Sequence, residues 1–256
     1  MFKKFGVWIL GFVVCLGVGI WTLEVAAVAG EKVETILSKM ESAGDYKTNK
    51  GSAIMEIINK DGDKTSMQLE MYEVMGEGDE DKKSLMRFTA PARLKGTAIL
   101  SVGDNIWYYN NRTNRVRLLS SSAKKGSMMG SSFSYEDLSM SYAKDFVGQI
   151  LKDDKKSYLL KIFPKDKSKT YKYIIMKVRK ADYITEYAQY YKGKDLKYKV
   201  LTSLEIKKVG GRVAPMKVTM RDIESNKITN FIIDEKRIEY DIKLDDSIFS
   251  ERNLRK

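Results

Sequence analysis

No histidine occurs anywhere in the sequence. Its absence removes serine–histidine and cysteine–histidine nucleophile systems, the usual zinc sites and the commonest general base near neutral pH. Most hydrolase chemistries go with it, and only carboxylate chemistry of the glycosidase or magnesium kind survives. Cysteine occurs once, at Cys15, inside an apolar leader. Once that leader is removed no disulfide can form, so the redox state of the compartment neither helps nor harms the fold. Proline is scarce, with three residues in 256, and no proline-rich linker divides the chain.

What is present begins with MFKKFGVWILGFVVCLGVGIWTLEVAAVAG. Lys3 and Lys4 precede a long apolar run that ends in Ala27-Val28-Ala29, the small-x-small pattern of a signal-peptidase site. The leader reads as a secretory signal spanning residues 1–29, and the mature chain is expected to begin at Gly30, which N-terminal sequencing reads directly. The competing reading is a retained membrane anchor, because Phe5 to Leu23 is long enough to cross a bilayer. Val14 stands before Cys15 where a lipid-attachment signal needs a small residue, so no lipid on Cys15 is expected.

The formal charge is +12, and loss of Lys3, Lys4 and Glu24 with the leader leaves +11. A basic chain invites a nucleic-acid reading. Here the lysines alternate with acids along almost every segment, as in residues 59–64 and 152–156, so no nucleic-acid partner is expected. For an exported chain the charge suits anionic head groups, an acidic partner or plain solubility.

Hydrophobic periodicity organises the remainder. Val33, Ile36, Leu37 and Met40 have the spacing of one helix face, with Gly44 as a stop. From Gly51 the period becomes two: Ala53, Met55 and Ile57, then Met67, Leu69 and Met71, turn about Asp61-Gly62 as a hairpin. Strands are predicted at 85–88, 97–102, 105–109, 116–119, 158–163, 170–178, 183–191, 196–206, 212–220, 227–233 and 237–244. Leu138, Tyr142, Phe146 and Ile150 recur at helical spacing and predict a second helix. Short links make consecutive strands antiparallel neighbours, and no repeat near forty residues supports a propeller. The fold class is mainly β: residues 30–256 as one domain built on a large curved antiparallel sheet of about eleven strands in meander order.

Apolar side chains lie on both faces of several strands. Trp107 and Tyr109 oppose Ile106 and Tyr108; Tyr173 and Ile175 lie in the run 171–178; Tyr187 and Tyr191 oppose Ala188 and Tyr190. One face could pack on helices while the other lines a cavity, or tyrosines could tile an exposed sheet. The carboxylate pairs Glu136-Asp137 and Asp245-Asp246 read as capping or surface groups rather than acid–base couples. Gly126 and Gly130 lack the strand–loop–helix context of a phosphate loop. In KGSMMGSSFSYEDLS (125–139), Met128, Met129 and Phe133 sit where a solvated linker would carry charge. They suit either a fixed plug in the core or an adaptable cover over a pocket.

The stretch RFTAPARLKGTAILSVGDNIWYYNNRTNRVRLLSSSAKKGSMMGSSFSYEDLS resembles the core of the bacterial outer-membrane lipoprotein-sorting family, the LolA-like and LolB-like periplasmic carriers. Phe88 and Pro91, Lys95-Gly96-Thr97, the strand with Trp107 and Tyr109, the basic strand with Arg115 and Arg117, and the run from Met129-Gly130 to Asp137-Leu138 carry the likeness. Asp246, Phe249 and Leu254 resemble the family's ending. The chain departs at Asn110, where the family often has proline, and at Ser132, where it often has aspartate. The resemblance implies an incomplete β-barrel wrapped over an N-terminal helix and a central helix or loop that acts as lid. It implies a non-enzymatic carrier in the periplasm, with no catalytic residue, cofactor or metal, whose partners are lipoprotein acyl chains or other lipids. An inner-membrane transporter and an outer-membrane acceptor are the further expected partners, and the protein is expected to be a monomer. The alternative is an envelope lipid sensor or transporter accessory. Candidate cavity or lid residues are Val33, Ile36 and Met40 on the helix, Met55, Leu69, Phe88, Trp107, Tyr109, Tyr173, Ile175 and Tyr187 on strands, and Met128, Met129, Phe133 and Leu138 in the central segment.

Overall fold

The computed structural model describes residues 31–43, 46–76 and 80–256. The leader and the expected stop at Gly44 lie outside these described residues. Val33–Glu41 forms α1, and its four periodic residues, Val33, Ile36, Leu37 and Met40, are all buried. Glu34 in the first turn and Lys39 in the last complement the helix dipole. Within the described residues no helix is long and apolar enough to cross a membrane.

Fourteen strands make one curved, unclosed antiparallel sheet. The first six are β1 (Thr48–Ile58), β2 (Lys64–Val74), β3 (Lys83–Ala90), β4 (Ala98–Val102), β5 (Asn105–Asn110) and β6 (Arg115–Leu118). A crossing segment then carries α2 (Ser121–Lys124), single 3-10 turns at Met128–Gly130 and Glu136–Leu138, and α3 (Tyr142–Asp145). The second run is β7 (Phe146–Asp153), β8 (Ser157–Pro164), β9 (Tyr173–Arg179), β10 (Thr185–Lys192), β11 (Leu196–Val209), β12 (Arg212–Asp222) and β13 (Lys227–Ile233), with the short β14 (Glu239–Tyr240) beside β1. The expected single meander is in fact two. They join where β1 pairs β13, with Met55 opposite Phe231, and β6 and β7 are left as the two edges.

Two expected elements are corrected. The helix predicted from Leu138 to Ile150 is one 3-10 turn, one helical turn and then strand β7. An interval of four is even, so Phe146 and Ile150 share a strand face as well as they would share a helix face; both pack into the same core cluster. Gly148 between them meets β8 so closely that a Cβ there would lie 2.6 Å from the Lys161 carbonyl. The strand predicted over 237–244 shortens to Glu239–Tyr240.

The inner face carries two core clusters. Under α1 lie Leu160, Ile162, Ile174, Met176, Val178, Ala188 and Tyr190 from β8 to β10. Next to them Met55, Leu69, Phe88, Ile99 and Ile106 from β1 to β5 pack on Met128. The outer face of β3 to β5 forms a third cluster, Leu85, Ala98, Leu100 and Tyr109, covered by Phe249 and Leu254 of the C-terminal 3-10 turns. The Arg87 guanidinium fastens that cover by donating to the carbonyls of Asn253 (2.9 Å) and Leu254 (3.3 Å).

Candidate functional site

Inner-face residues change character along β2 to β4. Met67, Leu69 and Met71 give way to Glu73; Phe88 and Met86 give way to Ser84; Ile99 gives way to Ser101. The barrel interior is therefore apolar at depth and polar at one end. At that transition a cavity of about 490 Å³ lies between the sheet, the last turn of α1 and residues 137–142. Met40 of α1, Met71 and Met86 of β2 and β3, Leu138, Leu201 of β11, Val218 of β12 and Phe231 of β13 line it. Three of these are methionines, whose unbranched side chains fit irregular and varying shapes.

A polar cluster stands at the cavity's opening. The Glu73 carboxylate accepts from Tyr46 Oη at 2.5 Å, Asn49 Nδ2 at 2.9 Å and Lys82 Nζ at 2.6 Å. Lys82 also lines a more polar cleft beside the cavity, walled by Glu41, Ser101, Asp104 and Lys144, and Tyr46 lines a second cleft beneath α1. Burial alone would raise the Glu73 carboxyl; Lys82 beside it, with the Tyr46 and Asn49 hydrogen bonds, more than offsets this and holds it below its ordinary value. The Tyr46 phenol is pushed up by burial and by the Glu73 charge. A carboxyl with a depressed folded value stabilises the native state at every pH above its unfolded value, and the contribution is lost as acid protonates it. Glu73 therefore holds the opening together from neutrality down to about 4.5, its ordinary value, and releases it below. Glu73→Gln is expected to lower stability at pH 7, with the gap from wild type closing as pH falls below 4.5. Denaturant titrations across pH read this directly, and a gap that stays constant into acid would exclude the role.

The central segment is packed into the inner face. Met128 is 2% exposed among Met55, Leu69 and Phe88, and Phe133 touches both inner clusters. Backbone pairing closes the loop, with Met128 N–H donating to the Phe133 carbonyl at 2.8 Å. Ser132 N–H donates to Thr229 Oγ1 at 2.8 Å, Ser132 Oγ to the Lys227 carbonyl, and Lys227 Nζ to the Gly130 carbonyl at 2.8 Å. Met129 adopts a left-handed backbone with φ 52°, uncommon for a side chain of its size and held by these bonds on either side.

Glu136 and Asp137, expected as capping or surface groups, are buried anchors. Glu136 accepts from the backbone N–H and the hydroxyl of Thr170. Asp137 accepts from Ser134 N–H at 2.7 Å, Tyr171 Oη at 2.5 Å and Lys199 Nζ at 3.1 Å. Lys199 was not singled out from sequence, although its place in the alternation marks it: it shares the inner face of β11 with Leu201, where an apolar residue is expected.

The predicted site residues separate into three groups. Met40 and Leu138 line the cavity. Val33 and Ile36, on the buried face of α1, pack against β8 to β10, and Met55, Leu69, Phe88, Met128, Met129 and Phe133 form the packed floor beside the cavity. The remaining five occupy the opposite face. Trp107 and Tyr109 pack with the C-terminal turns, and Tyr173, Ile175 and Tyr187 pair across β9 and β10 on the outer side, where Tyr173 stacks on Tyr191 with ring centroids 4.5 Å apart. Residues missed from sequence include Met71, Met86, Leu201 and Phe231 in the wall and Tyr46, Glu73 and Lys82 at the opening. The switch from apolar to polar along β2 to β4 is the signal that finds them. Among the described residues no group of three or more Asp or Glu is placed to hold a metal ion.

No curated protein matches the sequence significantly. Solved structures show the fold. A DUF1329 family protein from Desulfovibrio piger superposes with a TM-score of 0.80 at 24% identity, covering 86% of this chain and 97% of its own. An outer membrane lipoprotein-sorting protein domain from Vibrio parahaemolyticus gives 0.80 at 24% identity over 87% and 98%. A LolA superfamily protein from Nitrosomonas europaea gives 0.70 at 18% identity over 87% and 99%. A family model described as "-like: Uncharacterized protein" matches residues 80–256, well over half of the chain. The chain belongs to that family, and its mainly β, unclosed sheet is the LolA-like fold.

Proposed function

We propose that the protein is a non-enzymatic carrier that shields acyl chains of lipids or lipoproteins in the periplasm, between an inner-membrane donor and an outer-membrane acceptor. The observation that carries this reading is the cavity of about 490 Å³ beneath α1, walled by Met40, Met71, Met86, Leu201 and Phe231 and opening past a polar rim. An apolar interior with few polar groups at one end is what a chain with a hydrated head requires. Two structural neighbours, an outer membrane lipoprotein-sorting protein domain and a LolA superfamily protein, support it. So does the apolar leader, read as an export signal.

Burial is the mechanism. Each methylene removed from water contributes about 0.8 kcal/mol, so affinity grows with chain length and release requires an acceptor that offers the chain another apolar environment. An apolar fluorescent probe is expected to bind the folded protein saturably and to be displaced by palmitate. Ala214, on the inner face of β12 at the cavity wall, tests the location: Ala214→Trp fills the space and should weaken the probe by an order of magnitude or more while the protein stays folded. Probe binding that appears only on partial unfolding, or that survives the tryptophan unchanged, would sink the reading.

A further inference from the structure

We infer that the free edge of the sheet at β6 binds an acidic, extended segment of a partner protein, which adds to the sheet as a further strand. No residue of β6 lines the cavity, so this goes beyond the carrier reading.

The backbone of β6 is open on one side. Its partner β5 places Trp107 opposite Leu118, Tyr108 opposite Arg117, Tyr109 opposite Val116 and Asn110 opposite Arg115. Leu119 N–H donates to the Ile106 carbonyl at 2.8 Å, so Trp107 and Leu118 are an opposed pair that exchanges no hydrogen bonds of its own. By the alternation of an antiparallel ladder the same holds for Tyr109 and Val116. The N–H and C=O groups of Val116 and Leu118 therefore point away from β5, where an added strand would use them. Leu118 is 58% exposed, and Arg115 and Arg117 are exposed beside it.

The side chains select the partner. Arg115 and Arg117 stand on one face of the strand, about 7 Å apart, and among the described residues neither has a carboxylate or hydrogen-bond partner. Elsewhere on the sheet cations are paired, as Lys83 is with Asp246, Lys177 with Glu186 and Lys192 with Glu224. From Asn105 to Tyr135 the chain carries Arg112, Arg115, Arg117, Lys124 and Lys125 and no acid. Lys124 and Lys125 donate to the carbonyls of Asp104 and Ser168, which leave their charge unneutralised. The other face of β6 carries Val116 and Leu118, opposite Tyr109 and Trp107. A strand laid along this edge meets cations on one face and apolar side chains on the other, so the segment that fits alternates Asp or Glu with Val, Ile or Leu. Charge at an edge blocks pairing with a second copy of the same chain; here it does so by sign, which admits an acidic strand. The other edge, β7, offers no face of one sign, since Lys152 stands next to Asp153. An anionic bilayer would also attract the arginines, but it makes no use of backbone groups aimed along the sheet.

A fluorescently labelled peptide of alternating glutamate and valine, titrated into the purified protein, tests this by anisotropy. One peptide should bind per protein, saturably, with an affinity that falls as salt rises. Arg115→Glu combined with Arg117→Glu should weaken it by at least about tenfold, as should glutamine in place of glutamate in the peptide. Val116→Pro separates strand addition from simple charge attraction, because it removes an N–H that the β5–β6 ladder does not use and proline is tolerated at such an edge position. It should weaken the peptide by a similar factor and leave the apolar probe bound in the cavity. If that variant does not fold, a peptide with two central prolines decides, and it should fail to bind the wild-type protein. No binding of the glutamate–valine peptide, or equal binding of its glutamine or proline form, would overturn the inference. Phosphatidylglycerol vesicles bound through both arginines, without peptide binding, would overturn it in favour of a membrane surface. The carrier reading stands or falls separately, on the apolar probe.

Discussion

Lys199→Met should lower the free energy of unfolding by about 3–5 kcal/mol, the cost of leaving one member of a buried ion pair without its counter-charge. The pair qualifies as buried because the Lys199 and Asp137 side chains are 3% and 8% exposed. Lys199 Nζ reaches Asp137 at 3.1 Å and the Tyr171 hydroxyl at 3.2 Å, while Tyr171 and Ser134 also donate to the carboxylate. Removing the ammonium leaves a charge that two neutral donors cannot balance. Adding Asp137→Asn to Lys199→Met removes the charge while keeping an acceptor for Ser134 and Tyr171, so the double variant should recover at least half of the loss. Urea titrations of Lys199→Met, Asp137→Asn and the double variant close the cycle. A loss under about 1 kcal/mol, typical of a solvated pair, would mean that water reaches Asp137, and the pair would then not hold the crossing segment.

That segment explains why the pair matters. Residues 119–145 run from one edge strand, β6, to the other, β7, and hydrogen-bonded strand pairing ends at both. What bridges the unclosed barrel on its inner face is therefore not a ladder but side chains: Ser132 to Thr229, Glu136 to Thr170, Asp137 to Tyr171 and Lys199. Each contact joins the segment to a residue remote in sequence, Thr229 on β13, Lys199 on β11, and Thr170 and Tyr171 in the loop before β9. Together they fix how much of the interior is floor and how much is cavity.

Much of the scaffold could be read from period alone. A face buried on one side imposes alternation, so β1, β2 and β8 to β13 emerge within a few residues of where Met55, Leu69 or Ile174 place them, and the spacing of Val33, Ile36, Leu37 and Met40 yields α1. The site was less legible because this sheet is covered on both faces. When Trp107 and Tyr109 pack on the C-terminal turns and Ile106 and Tyr108 pack inside, alternation names two apolar sets without saying which is interior. The same ambiguity moved Tyr173, Ile175 and Tyr187 to the wrong side. Glu73, Ser84 and Ser101 resolve it, because only an inner face that reaches water at one end replaces methionine and isoleucine by polar residues in register on three adjacent strands. Asp137 and Lys199 escaped for a different reason: 62 residues separate them, and no local pattern couples a loop carboxylate to a distant strand lysine.

Met128→Ala should cost about 2–5 kcal/mol, the range for truncating a buried methionine in a core that cannot collapse around the void. From sequence, Met128, Met129 and Phe133 suited a cover that leaves its pocket as readily as a plug that stays. A cover must be weakly held, since local opening draws on the least stable parts of a structure. This loop is instead closed by its own backbone pairing, bonded to β13 at Ser132 and Gly130, and sealed by a methionine 2% exposed among Met55, Leu69 and Phe88. Phe133→Ala should be costly for the same reason, because its ring touches both inner clusters. Neither substitution alters a residue that lines the cavity, so the off-rate of bound palmitate should be unchanged while stability falls. The moving-cover alternative predicts the reverse, a loss within about 2 kcal/mol and slower release once nothing returns to displace the chain. Denaturant titration beside a palmitate off-rate separates the two. If stability falls and release does not change, the element able to gate the cavity is α1, whose Met40 stands in the wall and whose last turn meets the opening beside Tyr46.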